Sequence, residues 1–120
     1  MRPDAGNSNS VQVGRDAEDR AAQYLMDLGY TIVTRRYKVR RGEIDLVAVD
    51  GETIVFVEVK HRRTPGYKPE ESMGHKKIQA ITRTMREYLS EMELEGREVR
   101  LDLVAIDSDG LRHYQDMLAL

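Results

Sequence analysis

A chain of 120 residues fits one domain and is long enough to bury a real core, whereas two halves of it would not be. It has no cysteine, which excludes a disulfide scaffold, a thiolate zinc site and a cysteine nucleophile. The net charge of −2 conceals an uneven distribution: from Arg35 to Arg86 there are 13 Lys or Arg against 7 Asp or Glu, a balance of +6, and the ends are acidic.

Residues 1–12, with Pro, Gly, Asn and Ser, read as a disordered leader ahead of a single domain over 13–120. No apolar run approaches the ~18 residues of a membrane span, and Met1 to Ser10 holds no signal region, so a cytoplasmic protein without membrane contact is expected. Arg15 to Leu28 places Ala17, Ala21, Tyr24, Leu25 and Leu28 on one stripe and stops at Gly29, which predicts an amphipathic helix. Glu18 sits at the edge of that stripe. Periodicity alone leaves it equally a solvated glutamate or a residue reaching the sheet edge.

Thr31 to Tyr37 reads as the first strand and is followed by a basic turn. Two runs rich in β-branched residues then bracket Asp50-Gly51-Glu52, the signature of a hairpin. Alternation puts Glu43, Asp45, Val47 and Val49 on one face of the first run and Ile54, Phe56, Glu58 and Lys60 on one face of the second. A two-residue loop pairs odd positions with even ones, so Asp45 and Glu58 share a face; a three-residue loop without a bulge would separate them. Two carboxylates and a backbone carbonyl suit Mg²⁺ or Mn²⁺. Lys60, ~7 Å along the same strand face from Glu58, could orient a metal-bound water or steady charge on a phosphoryl oxygen. The competing reading of Asp45, Glu58 and Lys60 is a partly buried salt-bridge network without chemistry. The basic residues Arg36, Lys38, Arg40 and Arg41 before this cluster, and Arg62 and Arg63 after it, are placed as phosphate contacts around a cleft.

His61 to Pro69 holds Pro65-Gly66 and reads as a loop overhanging the cleft. From Glu70 or Met73 to Met92 the series Ile78, Ile81, Met85, Leu89 and Met92 predicts a long helix, its methionines being core filler. Lys76 and Lys77 fall in its first turns, where cations oppose the helix dipole and so call for another reason, solvation or a phosphate. Arg97 to Asp107 predicts a strand whose second half is buried on both faces, as in parallel packing, and Leu111 to Tyr114 an edge strand. His61, His75 and His113 lack zinc spacing and are expected at the surface, with His61 alone open to substrate contact. No nucleophile elbow or phosphate-binding loop occurs.

Asp45 followed by Glu58-Val59-Lys60 on the next strand resembles the core of the PD-(D/E)XK, or restriction-endonuclease-like, nuclease superfamily. Gly14 to Glu18, Gly42-Glu43-Ile44-Asp45-Leu46 and Phe56 to Arg62 resemble more narrowly the YraN-type family of small bacterial endonuclease-like proteins, over Val13 to Asp107. The resemblance implies an α/β fold with a mixed sheet of about five strands flanked by helices. It implies Asp45, Glu58 and the Val59 carbonyl as Mg²⁺ or Mn²⁺ ligands and Lys60 as the catalytic lysine. Glu18 looks like the extra helical glutamate that completes the acidic cluster in Holliday-junction resolvases, and Lys77 occupies a lysine position of the pattern. Arg36 departs from it, standing where asparagine is common.

The function expected on these grounds is Mg-dependent endonucleolytic hydrolysis of DNA, in preference to RNA, including branched or repair-intermediate DNA. A two-fold substrate would favour a homodimer. Two other readings stand beside it: a nucleic-acid-binding module without catalysis, and a structural or interaction protein whose acidic ends dock a partner.

Overall fold

The computed structural model describes residues 5–62 and 68–119, with side chains for 12–62 and 68–118. Helix α1 (Ala5–Asp27) leads into β1 (Thr31–Val39), β2 (Gly42–Asp50) and β3 (Thr53–His61). A 3-10 turn (Pro69–Ser72) precedes α2 (His75–Glu91); β4 (Val99–Asp107), β5 (Gly110–Tyr114) and a last 3-10 turn (Met117–Ala119) close the chain. The five strands form one mixed sheet in sequence order, antiparallel except for the parallel pair β3 and β4 that α2 connects. This is the expected α/β architecture, and among the described residues no helix is long and apolar enough to cross a membrane.

Helix α1 starts at Ala5, well before Arg15, so of the expected leader only residues 1–4 lie ahead of it, and these are outside the described residues. No proline follows Pro3 to stop the helix, and Gln12 Nε2 donates to Asp16 Oδ1 (2.8 Å), an i,i+4 bond that supports the polar turn. The helix ends as its sequence predicts: Gly29 takes φ 98° and the Tyr30 amide closes back on the Leu25 carbonyl (3.0 Å). Leu28, assigned to the apolar stripe, falls past the last turn and is exposed. Helix α2 begins at His75, with Gly74 as its N-cap, because Pro69 starts a separate 3-10 turn instead.

Each helix covers one face of the sheet. Ala17, Ala21, Ala22 and Leu25 of α1 pack on Leu46, Ala48, Val55, Val57, Val104 and Ile106. On the other face Ile81, Met85 and Tyr88 of α2 pack on Ile44, Val47, Ile54, Phe56, Leu101 and Leu103, with Tyr88 edge-on to both Tyr37 and Phe56. Met85 is core, as expected, while Met92 is exposed. Gly42 lets α2 come this close: a Cβ there would lie 2.1 Å from Thr84 Oγ1.

The α1 face also buries a charge. Asp102 has no exposed surface and accepts from Arg100 Nε (2.8 Å) and Nη2 (2.9 Å), His113 Nε2 (2.7 Å) and the Asp116 amide (3.1 Å). Burial would raise its pKa, but these donors hold it below the ordinary value. The expectation that His113 is a surface residue is therefore corrected: its side chain is 5 % exposed because Asp102 and the Tyr24 hydroxyl take both ring nitrogens. His75 is exposed, as expected.

A candidate metal centre where two strands part

The hairpin turns on Gly51-Glu52, and the register Leu46↔Val57, Val47↔Phe56, Ala48↔Val55 pairs odd residues with even ones. The expected parity therefore holds, but the ladder ends at Leu46↔Val57 while β3 stays paired with β4 as far as His61↔Ile106. Beyond Leu46 the two hairpin strands separate and open a cleft on the β2 side of β3. Asp45 bridges its mouth: its Oδ2 accepts from the Val59 amide (2.7 Å) in place of a strand partner. In an extended strand a residue's N–H and C=O leave the same edge, so the Val59 carbonyl faces the cleft too.

A break in β1 and β2 makes the separation. Ile44 and Val47 both pack toward α2 while Leu46 packs toward α1, so alternation fails at Asp45. In β1 it fails at Arg36, which lies between the pairs Arg35↔Leu46 and Tyr37↔Ile44 and takes φ 54°, a conformation uncommon outside glycine and asparagine. Asparagine is the residue the YraN-type pattern commonly places there. Glu43, expected on the face of Asp45, is exposed and pairs with Lys38 across the β1–β2 ladder.

Glu58 is 7 % exposed, and its carboxyl lies against that of Asp45. Burial first, then the neighbouring Asp45 carboxyl, raise the Glu58 pKa far above the carboxylate range, although Lys60 and Lys77 pull it down. Glu58 is thus held toward its neutral form in the metal-free protein. A pair that cannot carry both its charges is a pair that a cation would neutralise, and its oxygen donors with the Val59 carbonyl match the preferences of Mg²⁺ or Mn²⁺. Lys60 is half-buried beside Glu58 and lines a 190 Å³ hollow with Val59, His61, Arg62, Pro69 and Ser72. Lys77 Nζ approaches Glu58 Oε2 from α2 (3.9 Å).

Glu18 does not join the pair. Its Oε1 accepts from Arg36 Nε (2.8 Å), and the Arg36 guanidinium is held above its ordinary pKa by that hydrogen bond and by the charges of Glu18, Glu43 and Asp45. Arg36 thus occupies the space between the helical glutamate and the strand aspartate. Among the described residues no three acidic or histidine side chains gather into a metal-binding group.

The basic residues fall into three groups. Arg36 is engaged with Glu18, and Lys38 sits opposite Glu43. Arg62 is exposed at the cleft, whereas Arg63 lies outside the described residues. Arg40 and Arg41 are exposed on the β1–β2 turn, where they line a 450 Å³ hollow with Arg83, Thr84 and Glu87 of α2. The sequence reading missed Arg83; its spacing of seven from Lys76 was the available signal.

Residues 63–67 of the loop expected over the cleft lie outside the described residues, and beyond them Glu70 is firmly held. Arg112 of β5 bonds Glu70 through Nε (2.7 Å) and Nη2 (2.9 Å) and Asp107 through Nη2 (2.7 Å), and the Tyr114 hydroxyl adds a bond to Glu70 (2.7 Å). Arg112 pulls both carboxyl pKa values down to about 2.

Comparison with known proteins places the whole of this site inside one match: residues 17–106 fit the profile of the uncharacterised protein family UPF0102. The chain is 40 % identical over 108 residues to a UPF0102 protein of Persephonella marina, covering 89 % of this chain and 93 % of that one. A UPF0102 protein of Sulfurihydrogenibium sp. is 36 % identical over 113 residues (93 % and 98 %), and one of Prosthecochloris aestuarii 43 % over 100 (82 % and 78 %).

Proposed function

Since this chain belongs to the uncharacterised protein family UPF0102, the YraN-type family its motifs resemble, we propose on the chemistry of its cleft that it is a metal-dependent nuclease hydrolysing nucleic-acid phosphodiesters. One observation carries the reading: the carboxyls of Asp45 and buried Glu58 lie together at the edge where β2 leaves β3, Asp45 held by the Val59 amide and Lys77 3.9 Å from Glu58. A purely structural ion pair would match acid to base. Here acid also meets acid, and Lys60 and Lys77 do not offset the burial of Glu58, an arrangement that costs stability unless a cation occupies it.

Asp45, Glu58 and the Val59 carbonyl would hold Mg²⁺ or Mn²⁺, which supplies Lewis acidity toward a phosphoryl oxygen and a more acidic water. Lys60 lies where it can orient the attacking water and steady charge developing on the phosphate. Arg40, Arg41 and Arg62 are the exposed cations that would hold the backbone without reading bases. DNA, linear or branched, is the substrate to test first, with RNA beside it.

A second reading has its own observation. Arg36 holds Glu18 out of the acidic pair, and a two-carboxylate site with a cation in the place of the third acid fits a nucleic-acid-binding module without turnover. Mg²⁺ and Mn²⁺ calorimetry with cleavage assays on linear and branched DNA and on RNA separates the two. The nuclease binds metal and cuts, Asp45→Asn loses both, and Lys60→Met keeps metal but loses turnover. Metal binding without cleavage on any substrate leaves the binding module, and absence of both sinks the metal site.

A further inference from the structure

We propose that the outer face of α2 is a second contact for the nucleic acid, a phosphate track formed by Lys76, Arg83 and Arg86 and continued by Arg40 and Arg41. The inference deepens the nucleic-acid reading above and rests on it for the identity of the polyanion, though not for cleavage. Its three helix residues, Lys76, Arg83 and Arg86, have no part in the cleft described above.

Positions 76, 83 and 86 recur at helical spacing on one side of α2, and all three are exposed. The opposite side, Ile81, Met85 and Tyr88, is the buried one. Lys76, Arg83 and Arg86 line a 620 Å³ groove floored by Ile78, Ala80 and Thr82. Arg83 also lines the 450 Å³ hollow at the β1–β2 turn, so it joins the two depressions and the row of cations continues onto Arg40 and Arg41. The other end reaches the cleft, because Lys77, next to Lys76, lies 3.9 Å from Glu58. From Lys76 to Arg86 the track runs ~15 Å at 1.5 Å per residue.

Helix stability does not account for the charge at the start of this row. The first turn of α2 holds Lys76 and Lys77 and no acid, and the last turn holds Glu91 and no base. Both choices oppose the dipole, whose positive end is the N-terminus. None of Lys76, Arg83 and Arg86 has a salt-bridge partner within 4.0 Å among the described residues, in contrast to Arg35, Arg36, Arg100 and Arg112. Lys76 held against the dipole, with exposed Arg83 and Arg86 free of salt bridges among the described residues, along a depression that leads out of the acidic cleft, complements a row of phosphates. At 3.4 Å per nucleotide along one strand of a duplex, ~15 Å spans about four phosphates. The track would therefore engage a strand a few nucleotides from the one in the cleft.

The test is equilibrium binding in EDTA of a labelled 30-base-pair DNA duplex and an RNA duplex of the same length, measured across a salt series. The variant Lys76→Gln/Arg83→Gln/Arg86→Gln should flatten the slope of log affinity against log salt by about 2 to 3, since each lost phosphate contact removes about 0.9. Arg97→Gln, an exposed control beyond the helix, should match the parent, and Arg83→Lys/Arg86→Lys should keep the parent slope because the charges remain. Loss on both duplexes assigns the track to phosphates in general, and loss on one assigns it to that duplex. A triple variant with the parent's slope on both, or a parent whose affinity ignores salt, overturns the track. A flattened slope in a protein that cuts nothing with Mg²⁺ or Mn²⁺ defeats the nuclease reading and leaves the track standing.

Discussion

Adding one methyl group at Gly42 should loosen α2 from the sheet. The φ of Gly42 lies outside the left-handed region, so steric contact supplies the whole effect. The new Cβ would sit 2.1 Å from Thr84 Oγ1, 3.3 Å from its Cβ and 3.6 Å from its Cγ2. Thr84 is 2 % exposed, and its hydroxyl bonds back to the Ala80 carbonyl (3.3 Å), so it has little room to turn away. Overpacking of this kind costs about 1–3 kcal/mol, and the severity of this contact points to the upper half of that range. At roughly 4 °C per kcal/mol for a domain of this size, the melting temperature should fall by about 8–12 °C. Thr84→Ala removes the two atoms that turn toward the new methyl and keeps only the 3.3 Å contact. In urea unfolding of parent, both single variants and the double variant, Gly42→Ala and Thr84→Ala should therefore couple, the double being more stable than additivity predicts by about 1–2 kcal/mol. Free energies that add within about 0.5 kcal/mol would refute the close approach of α2 to β2 and, with it, the placement of Lys77 against Glu58.

Asp45→Asn should melt in EDTA at or above the parent temperature at pH 7, because it removes a negative charge from beside buried Glu58 while Oδ1 can still accept from the Val59 amide; a marked drop would mean that Asp45 is a structural ion-pair partner. Arg36→Asn should tighten Mn²⁺ binding in calorimetry, since it frees Glu18 to turn toward the pair and puts in the left-handed position a residue that tolerates it, and an unchanged affinity would count against any metal role for Glu18. The pKa values of Glu70 and Asp107, lowered to about 2, make Arg112 a stabiliser above the unfolded carboxylate pKa of about 4 whose contribution disappears as pH falls toward 2. The gap in melting temperature between the parent and Arg112→Met should accordingly be full at pH 6 and close between pH 4 and 2, and a gap that does not change with pH would contradict the lowered pKa values.

The hairpin, the amphipathic helices and the parallel strand β4 were legible because each depends on neighbours in sequence: a Gly-containing two-residue loop, a 3.6-residue stripe, a run apolar on both sides. Hairpin parity also brought Asp45 to Glu58. The break at Arg36 was not legible, since an arginine in a left-handed conformation has no local signature and is maintained by packing and by Glu18 from another element. Nor was the burial of Asp102 or its partner: nothing local to the strand points to His113, which reaches it from the next strand. The cations of α2 were visible one by one, but only the tertiary placement of the β1–β2 turn joins them to Arg40 and Arg41.

The irregularity at Arg36 has a bearing on how the protein behaves at high concentration. A sheet of five strands in sequence order has two free borders, β1 and β5, and an extended border with unpaired amides and carbonyls is a template on which another molecule can add its own strand. β1 is the longer of the two and exposes Val33. Its register slips between Ile32 and Thr34, and two residues beyond Thr34 the backbone turns through φ 54° at Arg36, so no straight stretch of it offers an incoming strand a continuous ladder. β5 is only five residues long and carries Arg112 and His113. The distortion that turns Asp45 into the cleft thereby also makes the molecule's longest open border a poor template for an added strand.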